Sequence, residues 1–440
     1  MRPSSAVRYS FFILITAAIF GTALPSGAQI TGVPMFNRPL QISSWSFECI
    51  NDGSTSASSC GANGNWISTN SQPGTVRLWD SGTNWALIQL SSNTYDWKKL
   101  DTWLDMIAAH QPTTVIYTFG HVPCFVASAA CTGTLGTGHY WSTSPPVDLT
   151  SSGSATFNHF VTALTQHCSA KGNCVKTYIK YWELWNEANL TQFWTGTQEQ
   201  LYDMFKPAVA IIRNNVPGAI TSTPPVCGGK SDWMSSWLNL ENTKGRLSDY
   251  YGIHLYLSTY TPEQKMRVIK KMVDAKNSAG WTNTPWMNTE TNFIVNSYVC
   301  SSQYTSADCR GQLVRWHVLQ YAYQGGAGGA YQVGWFDWPS IASGGYDSYY
   351  YTMMKWLAGS SFTASCSNTS GTVWTCPLIE SNGHSALIVW NTAGSSNYTP
   401  ASQYVDYRSF NGTNGGATTA ISSGQVTKIG VIPVMFEAAR

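Results

Sequence analysis

Regular spacing of short apolar runs constrains this 440-residue chain most. Candidate strands stand at Leu40–Ser44, Thr75–Trp79, Thr114–Phe119, Tyr178–Trp185, Ala219–Ser222, Tyr251–His254, Trp286–Thr289 and Gly329–Val333. They recur every ~30 to 45 residues, the interval of a strand plus a crossover helix. Helical patterns between them include Trp97–His110, Ala155–Ser169, Gln198–Asn214 and Asp308–Gln324, with apolar residues three and four apart. Eight such units close naturally into an α/β fold of the (β/α)8 TIM-barrel type.

After Leu357 the texture changes. Ser, Thr, Gly and Asn dominate, and short β-rich runs appear at Thr372–Leu378, Ser385–Trp390, Gln403–Tyr407 and Val426–Phe436. No helix-length pattern remains, so a β-sandwich accessory domain is expected over 358–440, packed on a catalytic barrel over 29–357. The Gly-rich run at 325–329 lacks the following helix of a phosphate-binding loop and reads as a turn into the last strand.

Residues 1–28 read as a secretory signal peptide. Arg2 and Arg8 form a basic start, Phe11–Phe20 an apolar stretch, and Ser26-Gly27-Ala28 a small-residue cleavage site. The apolar stretch is short for a membrane span. Removing Arg2 and Arg8 leaves 23 basic residues against 23 acidic ones, which argues against nucleic acid or an anionic membrane as partner. A secreted monomer is expected. The 20 Trp and 23 Tyr suit a cleft in which flat rings stack on sugar faces.

Ten of the eleven cysteines fall into close pairs: Cys49 with Cys60, Cys124 with Cys131, Cys168 with Cys174, Cys300 with Cys309, and Cys366 with Cys376. Export favours five local disulfides and leaves Cys227 as a free thiol. None of these spacings resembles a zinc site, and neither metal nor cofactor is expected.

Two strand ends carry the chemistry. Tyr178–Trp185 leads into Asn186-Glu187, and the run at Trp286 ends in Thr289-Glu290. Burying a carboxylate at a core's rim costs several kcal/mol unless it is paired, protonated or used. Two glutamates at the ends of a fourth and a seventh barrel strand suit retaining glycoside hydrolysis, in which one carboxyl gives the proton and a second attacks the sugar. Glu187, beside Trp185 and near a negative partner, is expected to have a raised pKa and act as acid/base. Glu290 is expected to stay ionised as nucleophile, which requires a cation or hydrogen-bond donors nearby. Glu183 shares a strand face with Glu187 but lies deeper, as a buried hydrogen-bonding group.

Trp185-Asn186-Glu187 and Thr289-Glu290, in this order and separation, resemble the catalytic motifs of clan A glycoside hydrolases. The stretch Trp185–Trp194 is most similar to glycoside hydrolase family 39 and related polysaccharide-degrading enzymes. The resemblance covers roughly residues 40 to 357 and departs from the family's usual pattern at Ala188, where Pro is common. It implies that Asn186 binds the sugar 2-hydroxyl and that Arg77 holds the nucleophile ionised. It further implies that His254 and Tyr256 line the subsite and orient the nucleophile, and that Trp335 and Trp338 floor the sugar site. His121, after the third strand, could line the cleft. The expected partner is a polysaccharide or oligosaccharide. Two alternatives stand beside a polysaccharide hydrolase: an exo-acting glycosidase releasing terminal xylose- or arabinose-like sugars, and a carbohydrate-binding barrel without catalysis.

Overall fold

The computed structural model describes Ala28–Gln29 and most of residues 75–439. Outside the described residues lie 1–27, 30–74, 80, 113, 132, 136–138, 259, 293–306, 326–327, 336–348, 350–351, 354–355, 358, 369–370, 411–415, 417 and 440. The leader, the expected first strand at Leu40–Ser44 and the Cys49 and Cys60 pair therefore fall outside them.

Eight parallel strands form the first half of the described structure. They are β1 (Thr75–Leu78), β2 (Thr114–Thr118), β3 (Tyr181–Glu183), β4 (Ile220–Ser222), β5 (Val226–Cys227), β6 (Tyr251–His254), β7 (Trp286–Thr291) and β8 (Gln332–Trp335). They fall into two four-stranded sheets, ordered β4-β3-β2-β1 and β5-β6-β7-β8. β4 and β5 are two halves of one path, separated at Thr223-Pro224-Pro225 because proline has no N–H to give to a ladder. A single parallel bridge, Ser222 to Tyr250, spans the break. The fifth expected strand is thus shorter than Ala219–Ser222 and is continued by a segment not foreseen.

The expected fourth strand also shrinks. Residues Val175–Tyr178 make a helical turn, and the strand proper ends at Glu183, four residues before Glu187.

Helices α1 (Lys98–His110), α2 (Ala155–Gln166), α3 (Gln198–Asn215), α4 (Ser231–Lys244), α5 (Pro262–Ser278) and α6 (Ala307–Ala322) separate the strands. α3 and α5 begin with reciprocal capping boxes, Thr197 with Gln200 and Thr261 with Gln264, which satisfy N–H groups the first turn would leave unpaired. Their apolar stripes seal against the sheets: Leu201, Phe205, Ala208 and Ile212 on α3, and Ile269, Met272 and Val273 on α5, are all buried.

The C-terminal region is antiparallel. Strands β9 (Ser361–Phe362), β10 (Val373–Ile379), β11 (Ser385–Asn391), β12 (Tyr404–Ser409) and β13 (Val434–Ala438) pair in the order β9-β10-β11-β13-β12. Ala28–Gln29 joins its edge beside β9. Strand alternation gives this sheet two apolar faces. Leu378, Ile388 and Met435 belong to the core shared with the helices, whereas Val389, Val434 and Phe436 form a second cluster with Ile429. The strand pair Ser396–Tyr398 and Thr427–Ile429 lies on that second side. At Gly311 of α6 this region comes close to the helix backbone, since a Cβ there would stand 2.3 Å from the carbonyl oxygen of Val431.

Disulfides join Cys124 to Cys131, Cys168 to Cys174 and Cys366 to Cys376; Cys309 is also disulfide-bonded, and Cys227 is free. Among the described residues no helix is long and apolar enough to cross a membrane.

Candidate active site

The carboxyl ends of β1, β2, β3, β5, β6 and β7 converge on one buried polar cluster. At its base lies Glu183, fully enclosed at the end of β3. Arg77 of β1 reaches it through Nε (2.5 Å) and uses its other two nitrogens elsewhere. Nη1 donates to Glu290 Oε2 at 2.9 Å, and Nη2 donates to Asn186 Oδ1 at 2.7 Å. One guanidinium therefore ties three residues of the cluster together, in the rigid fork that arginine offers and lysine lacks. Thr118 of β2 donates to Glu183 Oε2 at 2.7 Å, and Thr289 of β7 donates to Glu183 Oε1. Burial pushes the Glu183 carboxyl up, but Arg77, His254 and these hydroxyls outweigh it and hold the group ionised.

Glu290 is 7 % exposed. Besides Arg77 it accepts a short hydrogen bond from the Tyr256 hydroxyl, whose own proton is retained because burial and the Glu290 charge push it well above its ordinary value. A cation and a hydrogen-bond donor, the neighbours expected for Glu290, are thus both present. A ladder irregularity makes this possible. Ile253 pairs with Asn288 but His254 pairs with Glu290, so β7 carries an extra residue there. Such a bulge lets successive side chains, Thr289 and Glu290, both reach the cluster instead of alternating.

Glu187 lies beyond the end of β3, on a tight turn. Trp185 (φ 87°) and Glu187 (φ 41°) both take left-handed backbone conformations that non-glycine residues seldom adopt. Backbone strain of this kind, of order 1–3 kcal/mol per residue, persists where surrounding contacts over-determine it. The turn sends the Trp185 ring into the core against Trp194 and Phe205, and Glu187 into the cluster. His254 Nδ1 stands 2.9 Å from Glu187 Oε1, and the Cys227 thiol bonds the same carboxyl. The expectation of a raised Glu187 pKa is corrected here. Burial does push it up, but the His254 hydrogen bond and charge, Cys227 and Arg77 together bring it below its ordinary value. Trp185, which was to supply the apolar neighbour, faces the other way.

A carboxylate oxygen of Glu187, a ring nitrogen of His254 and a carboxylate oxygen of Glu290 all lie within 4.8 Å of one another. Two carboxyl groups this close match the ~5 Å spacing of a retaining mechanism, not the ~6.5–9.5 Å that leaves room for an intervening water. The same trio has metal-ligand chemistry, but its donors are spent on one another and the Arg77 guanidinium already sits on Glu290, so it does not fit a cation.

His121 lies at the rim after β2, with φ 57°. Its ring stacks on Trp141 (centroids 4.5 Å apart) and leans on Trp79 (5.1 Å). Gly120 admits this arrangement, because a Cβ there would fall 2.1 Å from the Trp79 ring. Burial lowers the His121 pKa to about 3, and its Nδ1 has no hydrogen-bond partner among the described residues. Trp335 closes β8; its side chain and the whole of Trp338 lie outside what is described. Thr118, Thr289 and Cys227 joined the cluster without being foreseen as site residues. A hydroxyl directly before the strand-end Glu290 was the one local sign of Thr289.

No family model matches the chain. Over 143 residues it is 24% identical to a β-xylosidase from Geobacillus stearothermophilus, a match covering 32% of this chain. The chain spans about a quarter (26%) of the length of that curated relative. Solved structures agree in fold. A family 30, subfamily 8 xylanase from Clostridium acetobutylicum superposes with a TM-score of 0.55 at 14% identity, covering 83% of this chain and 88% of the xylanase. A glucosidase from Croceicoccus marinus gives a TM-score of 0.55 at 11% identity, covering 84% and 90%. The chain has the fold of glycoside hydrolases. At these identities the likeness is one of fold, and family 39 rests on the Trp185–Trp194 stretch alone.

Proposed function

We propose that this protein is a secreted, retaining glycoside hydrolase that cleaves a polysaccharide by double displacement. The observation that carries the reading is the approach of Glu187 and Glu290 to within 4.8 Å, with Arg77 and Tyr256 gripping only the second. Glu290, held by a cation and a hydroxyl, attacks the anomeric carbon. Glu187 protonates the departing oxygen and later takes a proton from water. Asn186, oriented by Arg77, meets the 2-hydroxyl, and His121 with Trp79 and Trp141 offers a neutral hydrogen-bonding and stacking surface beside the sugar.

The architecture we assign is a (β/α)8 barrel over 29–357 with a β-sandwich accessory domain over 358–440. A signal peptide at 1–28 and the disulfides support export, since such bridges do not persist in a reducing cytosol. The names of the similar proteins, a xylanase and a β-xylosidase, favour a β-linked pentose polymer or its oligosaccharides as substrate. The β-xylosidase match also favours, as second reading, exo release of terminal xylose-like sugars.

Incubating the protein with xylan and with other plant and microbial polysaccharides, and sizing the products by chromatography, separates these readings. Proton NMR of the first product then reads the anomeric configuration. Retention is expected; inversion, or no hydrolysis of any glycoside, would overturn the proposal.

A further inference from the structure

The hydrogen bonds of the cluster have directions, and the directions have a consequence. Glu183 is ionised and can only accept, so the Thr289 hydroxyl gives it its one proton. Thr289 Oγ1 must then accept at its other contact, His254 Nε2 at 3.2 Å. Nε2 therefore carries a hydrogen. That leaves Nδ1 to face Glu187 Oε1 at 2.9 Å, with Glu290 Oε2 3.7 Å away.

We infer that Glu183 and Thr289 are positioning residues that lock His254 as its Nε2–H tautomer, so that Glu187 and His254 hold a single proton between Oε1 and Nδ1. This proton is the one delivered to the leaving oxygen. Once it has gone, the lock leaves a lone pair on Nδ1 facing an ionised Glu187, an unfavourable pairing that favours the proton's return from water. A free imidazole would escape by moving its hydrogen to Nδ1. The wiring also explains why a fully buried carboxylate stands four residues before the acid/base on the same strand path: it acts through two intermediaries, not on the sugar.

Every charged or titratable group facing His254 bears on this. Glu187 follows β3, Glu290 lies on β7, and Tyr256 follows β6. Arg77 of β1 neutralises Glu183 and Glu290, while Cys227 of β5 bonds Glu187 and itself faces Lys265 of α5. Among the described residues, the hydrogen-bond partner of Nε2 is Thr289, so the tautomer is governed through Thr289.

Nitrogen-15 NMR of histidine-labelled protein tests the lock directly, with the His254 signal identified by its loss in His254→Phe. At alkaline pH the wild type is expected to show the Nε2–H tautomer, and Thr289→Val to show Nδ1–H or a mixture, with Thr289→Ser restoring the original pattern. Finding Nδ1–H in the wild type, or an unchanged tautomer in folded Thr289→Val, would overturn the inference; should Thr289→Val not fold, the wild-type spectrum decides alone. The second readout rests on the proposed role of Glu187. In Thr289→Val the alkaline limb of kcat/KM should move down by about one pH unit, while an aryl glycoside with a good leaving group is little affected. A correct tautomer with no glycosidase activity would refute the proposed function and leave the lock standing, whereas hydrolysis with the wrong tautomer would do the reverse.

Discussion

Two buried arginine–carboxylate clusters in this molecule use the same groups to different ends. At the mouth of the parallel strands, Arg77 spends all three nitrogens on Glu183, Glu290 and Asn186. At the seam between the helices and the C-terminal sheet, Arg315 of α6 lies 3.3 Å from Glu263 of α5, whose Oε1 also accepts from Trp390 Nε1 of β11 at 2.9 Å. There the accounting is incomplete. Among the described residues, Arg315 Nη1 and Glu263 Oε2 are buried without hydrogen-bond partners. A buried ion pair offsets its desolvation only when geometry is excellent and the remaining donors are satisfied. The mouth meets that condition, and there Arg77 helps hold the Glu183 carboxyl below its ordinary value. The seam does not, and its cluster specifies how two apolar faces meet more than it stabilises them.

The sharpest way to break this comparison is at the mouth. Glu290→Gln removes the attacking carboxylate, and activity should fall on the order of 10⁴-fold or more for every substrate, as nucleophile deletions do elsewhere. Glu187→Ala should spare the first step for an aryl glycoside with a good leaving group. Azide should then restore its turnover with retained configuration, but should rescue Glu290→Gly with inversion. Swapped stereochemistry, read by NMR of the glycosyl azides, would exchange the two roles.

At the seam the effect should be on stability alone. Arg315→Met takes the cation from buried Glu263, which keeps its Trp390 N–H, and a loss of about 3 kcal/mol is expected in denaturant titrations, with kcat of the folded fraction unchanged. The double replacement Arg315→Met with Glu263→Leu should recover much of it. A large loss of kcat in the single variant would mean that the two clusters are coupled.

A smaller effect separates ionised from merely buried groups. Removing the imidazole in His254→Phe leaves burial acting on Glu187 without the hydrogen bond and charge that oppose it. Its carboxyl should titrate at higher pH than in the wild type, as carbon-13 NMR of labelled glutamate would report.

The smallest effect expected lies at the rim. The His121 pKa, depressed by burial to about 3, lies below the ~6.5 of an unfolded histidine. Its contribution to stability is present in full above ~6.5 and is lost as pH falls from there towards about 3, at up to ~1.4 kcal/mol per unit. His121→Phe, which keeps the stacking on Trp141, should flatten the acid side of a plot of Tm against pH. An unchanged slope would show that His121 is charged in the folded protein.

Much of this was legible in the chain itself. Seven of the eight expected strands recur within a few residues, because β-branched and aromatic runs such as Thr114–Phe119 have one stable way to be buried in a parallel sheet. Leu40–Ser44 lies outside the described residues. Glu187 and Glu290 follow from strand-end position, and Asn186, Arg77, His254 and Tyr256 from the resemblance to clan A glycoside hydrolases; all six converge. The break at Pro224-Pro225 was written in the sequence too and went unread.

What the sequence alone determined, then, is local: which runs become strands, where the chain must turn, and which carboxyls stand at strand ends. Only the tertiary structure decided their electrostatics. Whether Trp185 or His254 adjoins Glu187 depends on a left-handed turn, and whether Thr289 reaches Glu183 depends on a bulge against β6. The pKa of a buried group follows charges and hydrogen bonds within a few ångströms, contributed here by residues up to 213 positions away along the chain. Pattern along a chain reports periodicity and burial, but the sign of a pKa shift is a property of the assembled neighbours.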